Sequence, residues 1–286
     1  MGRGMGDAGE RSRPTIAPRP VSHTWEGRPV PRHFLGDDLV LSHLAAMLSS
    51  VFPEGEAFFV RSVRHYRSQI TDPVLSEQIN GFIGQESTHA REHRALNVRL
   101  AELGYPIRHL DRRAHWGLRV VERLFSPIMC LAATAALEHG TAILADALLS
   151  SEEVRDLFTD DQIRELVLWH ALEEAEHRAV AFDVYEAVGG PYWLRAWTLR
   201  VAAVTTGLDI ISGALTSMLF DPEARDLKAV WRSLRGLRHS PFAGLGLGRD
   251  LADYTRRDFH PSEHGSTALV AEWQERLFAD AGAANA

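Results

Sequence analysis

His170-Ala171-Leu172-Glu173-Glu174-Ala175-Glu176-His177 is the stretch on which the reading of this chain turns. Along a helix that advances about 100° per residue, Glu174 lies roughly 40° round from His170, and His177 about 20° to the other side. Imidazole, carboxylate and imidazole therefore share one stripe. The device recurs upstream as Glu86-Ser87-Thr88-His89, with His93 one turn further on. A helical bundle around two metal ions needs two such Glu-x-x-His pairs and one Glu from each of two other helices.

Both additional carboxylates have candidates. Glu138 sits in the middle of 127–149, a helical stretch apolar nearly all round, and a helix without a polar face is normally central. A carboxylate there must be paired, protonated or metal-bound. Glu56 lies beside Phe58 and Phe59, and is preferred to Glu54 because it is deeper in its helix. Glu56 precedes Glu86 by 30 residues and Glu138 precedes Glu174 by 36, enough to climb one helix, turn and return to the same height. The candidate metal ligands are Glu56, Glu86, His89, His93, Glu138, His170, Glu174 and His177, with His93 either a ligand or the partner of one. Glu173 and Glu176 point off the stripe, toward solvent or an outer layer. A lone Glu-x-x-His carries little weight, since surface salt-bridge networks produce it. Two of them, with Glu138 in an apolar helix, are hard to explain as solvated faces.

Strand signals are nearly absent, so the expected class is all-α: a ferritin-like or related helical bundle around a dinuclear site, with extra C-terminal helices. Asp37 and Asp38 start a helix over 39–51, and Pro53 separates it from a second over 54–70. Thr71-Asp72-Pro73 opens a helix to about Leu103, stopped by Gly104 and Pro106. A basic connector over 109–123 leads to Ser126-Pro127 and the apolar helix. Thr159-Asp160-Asp161-Gln162 reads as a capping box for a helix that ends at Gly189-Gly190-Pro191. Beyond lie the apolar stretch 201–220, an Asp221-Pro222 helix start, a loop with Gly244, Gly246 and Gly248, and a short helix over 269–278. The domain reading is a disordered tail over 1–30, rich in Gly, Arg and Pro, and a single helical domain over 31–286.

Apolar residues make up 45% and charged residues 24% of the 286, as in ordinary globular chains. A formal charge of -7 argues against nucleic acid as a partner. Cys130 is the single cysteine, which excludes an internal disulfide and thiolate zinc sites and fits a reducing cytoplasm. The stretch 201–220 carries Asp209 at its middle, costing about 2.5–3.5 kcal/mol at a bilayer centre. It reads as a buried or membrane-touching helix, not a spanning one.

The blocks Pro53-Glu54-Gly55-Glu56-x-Phe58-Phe59, Glu86-x-x-His89-x3-His93, Glu138-His139 and Trp169-His170-x3-Glu174-x-x-His177 resemble bacterial proteins labelled predicted metal-dependent hydrolases, over roughly 30–220. Their order is also similar to that of di-iron N-oxygenases acting on arylamines. By position, that resemblance implies Glu56, Glu86, His89, Glu138, His170, Glu174 and His177 as seven iron ligands, with His93 outside the pattern. Hydroxylases that tailor terpenoid antibiotics such as platensimycin are a further resemblance.

Oxygen and nitrogen donors suit iron or manganese, and four carboxylates balance two divalent ions. The leading expectation is a non-heme di-iron monooxygenase, with two Fe ions and O2 as co-substrate, hydroxylating an unactivated C–H bond of a bulky apolar natural product. Phe58, Phe59, Phe82, Trp169, Phe182 and Tyr185 are the expected pocket, although each is more often plain core. The expected partners are an apolar small molecule with an acid or thioester group for Arg108, Arg112 and Arg113, an external electron donor, and a second copy in a homodimer. The alternatives are a hydrolase using a bridging hydroxide, an N-oxygenase, and a non-enzymatic metal- or lipid-binding protein.

Overall fold

A computed structural model describes residues 16–19, 21–23, 25 and 30–283. The helices in chain order are α1 (Leu39–Tyr66), α2 (Pro73–Glu102), α3 (Ile107–Leu124), α4 (Pro127–Ser150), the single turn α5 (Glu152–Arg155), α6 (Asp161–His177), α7 (Val180–Ala187), α8 (Tyr192–Met218), α9 (Leu227–Leu237), α10 (Leu247–Asp253) and α11 (Thr267–Ala283). Among the described residues there is no strand, only a bridge between Leu35 and Phe158. The all-α class holds.

Side-chain caps set the starts. Asp38 accepts from the Leu41 amide, Asp72 from those of Val74 and Leu75, and Asp160 from those of Gln162 and Ile163. Each satisfies amides that the first helical turn leaves unbonded. α1 runs beside α2, α4 beside α6, and α1 touches α4, so four helices enclose one axis. Phe58, Ile79, Phe82, Leu131, Phe182 and Tyr185 fill the core at one end of it. Leu96, Leu100, Leu149, Ile163, Leu166 and Leu172 fill the other.

Four boundaries differ from the sequence reading. Pro53 lies inside α1, which is continuous through it. Proline has no N–H for the carbonyl four residues back; that carbonyl, on Ser49, instead accepts from Asn97 Nδ2 of α2 at 2.9 Å. The basic connector is the helix α3, whose Leu110 is buried and whose Leu118 and Val121 pack on the core, with arginines outward. The helix expected to reach Gly189 breaks after His177, where Arg178 Nε caps the Ala175 carbonyl at 3.0 Å and its guanidinium pairs with Asp146. Asp221-Pro222 opens only a 3-10 turn, and α9 starts behind Asp226.

In the segment expected to be a disordered tail, Ile16, Pro18, Arg19, His23 and Trp25 touch the body, while 1–15, 20, 24 and 26–29 lie outside the described residues. Ile16 is buried in the core, because Gly81 and Gly84 of α2 leave a groove for it and for Pro18. A Cβ on Gly81 would come within 2.1 Å of the Ile16 carbonyl oxygen.

Candidate metal centre

Glu56 of α1, Glu86 and His89 of α2, Glu138 of α4, and His170, Glu174 and His177 of α6 converge on the bundle axis. His177 Nε2 is 3.1 Å from Glu86 Oε1, 3.3 Å from Glu138 Oε2 and 3.6 Å from Glu174 Oε2. His89 Nδ1 is 3.5 Å from Glu86 Oε1 and 3.7 Å from Glu174 Oε1. His170 Nε2 is 2.9 Å from Glu174 Oε1 and 3.8 Å from Glu56 Oε1. Both carboxylate oxygens of Glu56, Glu86 and Glu138 are buried with no hydrogen-bond partner, and so are His89 Nδ1 and His177 Nε2. Orphaned donors of this kind, crowded round one point, are what a buried cation would satisfy.

Each imidazole is held from behind, which leaves its inner nitrogen available. His89 Nε2 donates to Glu173 Oε2 at 3.0 Å, and His177 Nδ1 to Gln85 Oε1 at 2.9 Å. Gln85 Nε2 in turn donates to Glu176 Oε2 at 2.9 Å. Arg19 bridges Glu173 and Glu176 at 2.6–3.1 Å. His170 Nδ1 meets His93 Nε2 at 2.8 Å, His93 Nδ1 meets Ser49 Oγ at 3.0 Å, and Ser49 Oγ donates to Asn97 Oδ1 at 2.9 Å. Since the serine proton goes to Asn97, His93 Nδ1 donates to Ser49 and its Nε2 accepts from His170. That order puts a proton on His170 Nδ1 and leaves Nε2, 2.9 Å from Glu174 Oε1, as the nitrogen that a metal ion would meet. His93, expected as a ligand or as the partner of one, stands behind His170 with both ring nitrogens engaged, and it also groups with Glu56 and His170 closely enough to share an ion.

Burial raises Glu56 well above the ordinary carboxylate range, and the charge of Glu86 adds to it. Burial, Glu86 and Glu174 likewise push Glu138 up to about 8. Against the pull of burial, the Glu173 carboxylate that accepts from its ring and the negative charge of Glu86 raise the His89 imidazolium to about 10. Burial also opposes the charge on His177, but Glu174 and Glu138 carry it well above its usual value. Burial lowers His93 and His170, keeping that relay neutral. The cluster thus binds protons where it lacks other cations, and metal binding would release them.

A cavity of about 580 Å³ opens against this centre, with His93, His170, Glu174 and Thr141 at its inner end. Leu44, Leu48 and Phe52 of α1, Leu148 of α4, Phe158 and Val167 form much of its wall. Thr141 Oγ1 donates to Glu174 Oε2. None of the six aromatics expected to form the pocket lines this cavity. Phe58, Phe59, Phe82, Phe182 and Tyr185 belong to the core at the far end, and Trp169 stands edge-on to His89 with centroids 4.9 Å apart. The cavity instead follows α1 one to four turns before Glu56. Glu54 pairs with His115 at 2.9 Å, away from the cluster.

Glu173 and Glu176, expected toward solvent or in an outer layer, take the second place: both are buried, Glu173 behind His89 and Glu176 behind Gln85. Three acids in the four-residue span 173–176 of α6 would be self-repelling on any surface without partners, and that density is the signal available for their burial. Ser49, Gln85, Asn97 and Thr141 carried no signal of spacing.

The family model described as "Predicted metal-dependent hydrolase" matches residues 17–265, from the N-terminal segment to beyond α10. The chain belongs to this family. No curated protein and no solved structure matches it. This member of the family of predicted metal-dependent hydrolases therefore has a description that names metal dependence, and a buried cluster of Glu and His able to bind metal.

Proposed function

We propose that this chain is a di-iron oxygenase acting on an apolar ligand held in the cavity beside the cluster. Glu56, Glu86, His89, Glu138, His170, Glu174 and His177 would hold the two ions, whose four positive charges the four carboxylates balance. The observation that carries the reading is the cavity itself: a largely hydrocarbon-lined space of about 580 Å³ that meets the cluster through His93, His170, Glu174 and Thr141. Bound iron would supply O2 activation, with electrons from an external donor. The chain's own contribution is to orient and to exclude water. The Asn97–Ser49–His93 relay fixes the His170 ring, Thr141 fixes one oxygen of Glu174, and Leu48 and Phe52 keep the approach dry.

The family description favours a second reading, in which the same ions activate water for hydrolysis. A hydrolase selects its substrate by gripping a polar carbonyl or phosphoryl group, and the cavity walls offer few donors for one. The two are separated by loading chelator-stripped protein with Fe(II) without oxygen, then admitting air. Oxygen uptake in proportion to iron, absent from the zinc-loaded protein, supports the oxygenase. Ester cleavage by the zinc-loaded protein without oxygen, and no uptake with iron, overturns it.

A further inference from the structure

α8 is a 27-residue helix that buries one face and leaves the other bare. Leu194, Leu199 and Ala214 pack inward, and Gly213 lies so close to α1 that a Cβ there would meet Met47 Sδ at 2.3 Å. Trp197, Val201, Val204, Leu208, Ile211 and Leu215 recur at intervals of four and three, and all are at least 40% exposed. Residues so spaced form one stripe, which from Trp197 to Leu215 runs about 27 Å along the helix. It continues through exposed Leu219 and Phe220 into α9, where Leu227, Trp231 and Leu234 are also exposed. α3 lies beside α8, tied by Arg113 to Asp209 at 3.0 Å, and exposes Trp116, Val120 and Leu124. Apolar surface of this extent is uncommon on a chain that meets only water.

Its charge is equally uneven. The chain carries -7 overall, yet α9 and the residue after it hold Lys228, Arg232, Arg235 and Arg238 with no acid between them. All four are exposed, and none has a carboxylate partner among the described residues. Tryptophan and leucine on one side of a helix and arginine or lysine on the other make up the pattern of helices that lie in a lipid headgroup layer. Two copies pairing through this face would set the cations of α9 against their own counterparts or leave them idle. A surface of anionic lipids takes both the stripe and the charge.

We propose that α8 and α9, with the exposed side of α3, seat this chain on an anionic bilayer without spanning it. α8 packs along α1 and α4, so only its outer face is free to meet lipid. Ile210 of α8 and Leu237 of α9 line the cavity beside the metal centre, which puts the cavity wall against the docked face. That the cavity draws its ligand from the lipid phase rests on the oxygenase reading. The docking does not.

The test is flotation of the full chain with vesicles of phosphatidylcholine alone or mixed with phosphatidylglycerol, at low and high salt. Binding to the mixed vesicles is expected, at least about tenfold stronger than to the neutral ones, and weakened by salt. Leu208→Glu with Leu215→Glu should weaken it by at least about tenfold, Lys228→Ala with Arg232→Ala and Arg235→Ala should remove the lipid preference, and Val98→Glu on exposed α2 should change nothing. Trp231→Ala gives a milder variant if the double one misfolds. Metal-stripped protein should bind equally, which separates this result from the fate of the oxygenase reading. Failure to float with either vesicle overturns the proposal. So does unchanged binding by the stripe variants, or a stable dimer that ignores vesicles and is split by Leu208→Glu.

Discussion

His33, His43 and Asp221 meet between the start of α1 and the end of α8, with donors as closely grouped as those of Glu86, Glu138 and His177, yet the two knots are finished differently. Asp221 Oδ2 accepts from His33 Nε2 at 2.9 Å, from His43 Nε2 at 3.0 Å and from Arg32 Nε at 3.1 Å. Its Oδ1 accepts from the Glu223 amide, and His43 Nδ1 meets Ser217 Oγ at 2.7 Å. No buried nitrogen or oxygen in that knot lacks a partner. It already contains its cation, the Arg32 guanidinium. The central knot has four carboxylates, no arginine among them, and eight unpartnered atoms. Burial and residue type are common to both; what separates a clasp from a metal centre is whether the donors are already used.

Substitutions can break that distinction. Glu174→Ala removes the carboxylate that reaches His89, His170 and His177, and should abolish metal binding by elemental analysis while costing roughly 3–5 kcal/mol of stability in denaturant titration. Asp221→Ala should cost about 3 kcal/mol, since buried His43 would lose its acceptor and Arg32 would keep only the Leu103 and Phe220 carbonyls, but metal content should not change. Partners hold the Asp221 carboxyl below its ordinary range in the fold, despite burial. Its contribution is therefore complete above the unfolded value of about 3.9 and fades as pH falls through the lower folded value. A melting series over acid pH should show a shallower acid limb for Asp221→Asn than for the native chain. Ser49→Ala unlinks His93 and frees the His170 ring, and should weaken metal affinity about 10–100-fold by competition with a chelating dye. The smallest effect sharpens the contrast: Glu138→Leu should raise the stability of the metal-free protein by about 1 kcal/mol, because it removes a buried carboxyl without partners, while lowering that of the metal-loaded one.

The fold was largely legible because its starts are written in short-range chemistry: Asp72 and Asp160 cap their helices within a few residues, and Pro127 sets the first turn of α4. The convergence of Glu56, Glu86, Glu138 and Glu174 was legible because helical period and hairpin length both act on sequence intervals. What depended on three-dimensional neighbours was not. The break after His177 is made by Arg178 pairing with Asp146, thirty-two residues away. Glu173 and Glu176 are buried because Arg19, from the segment read as a tail, comes to meet them. The cavity is walled by α1 before Pro53 and by residues after α9, which no local pattern joins.

Pro53 gives that last point a sharper form. Lacking an N–H, it leaves the Ser49 carbonyl open, and Asn97 is drawn in to fill it. The same asparagine then takes the Ser49 hydroxyl proton, and so sets which way two imidazoles face. An imperfection in one helix thereby governs the tautomer of a side chain on another. Mending it with an ordinary residue would return the carbonyl to its own backbone, strengthen α1 and slacken the grip on His170, so that selection for a sturdier scaffold and for a working centre would pull this position in opposite directions.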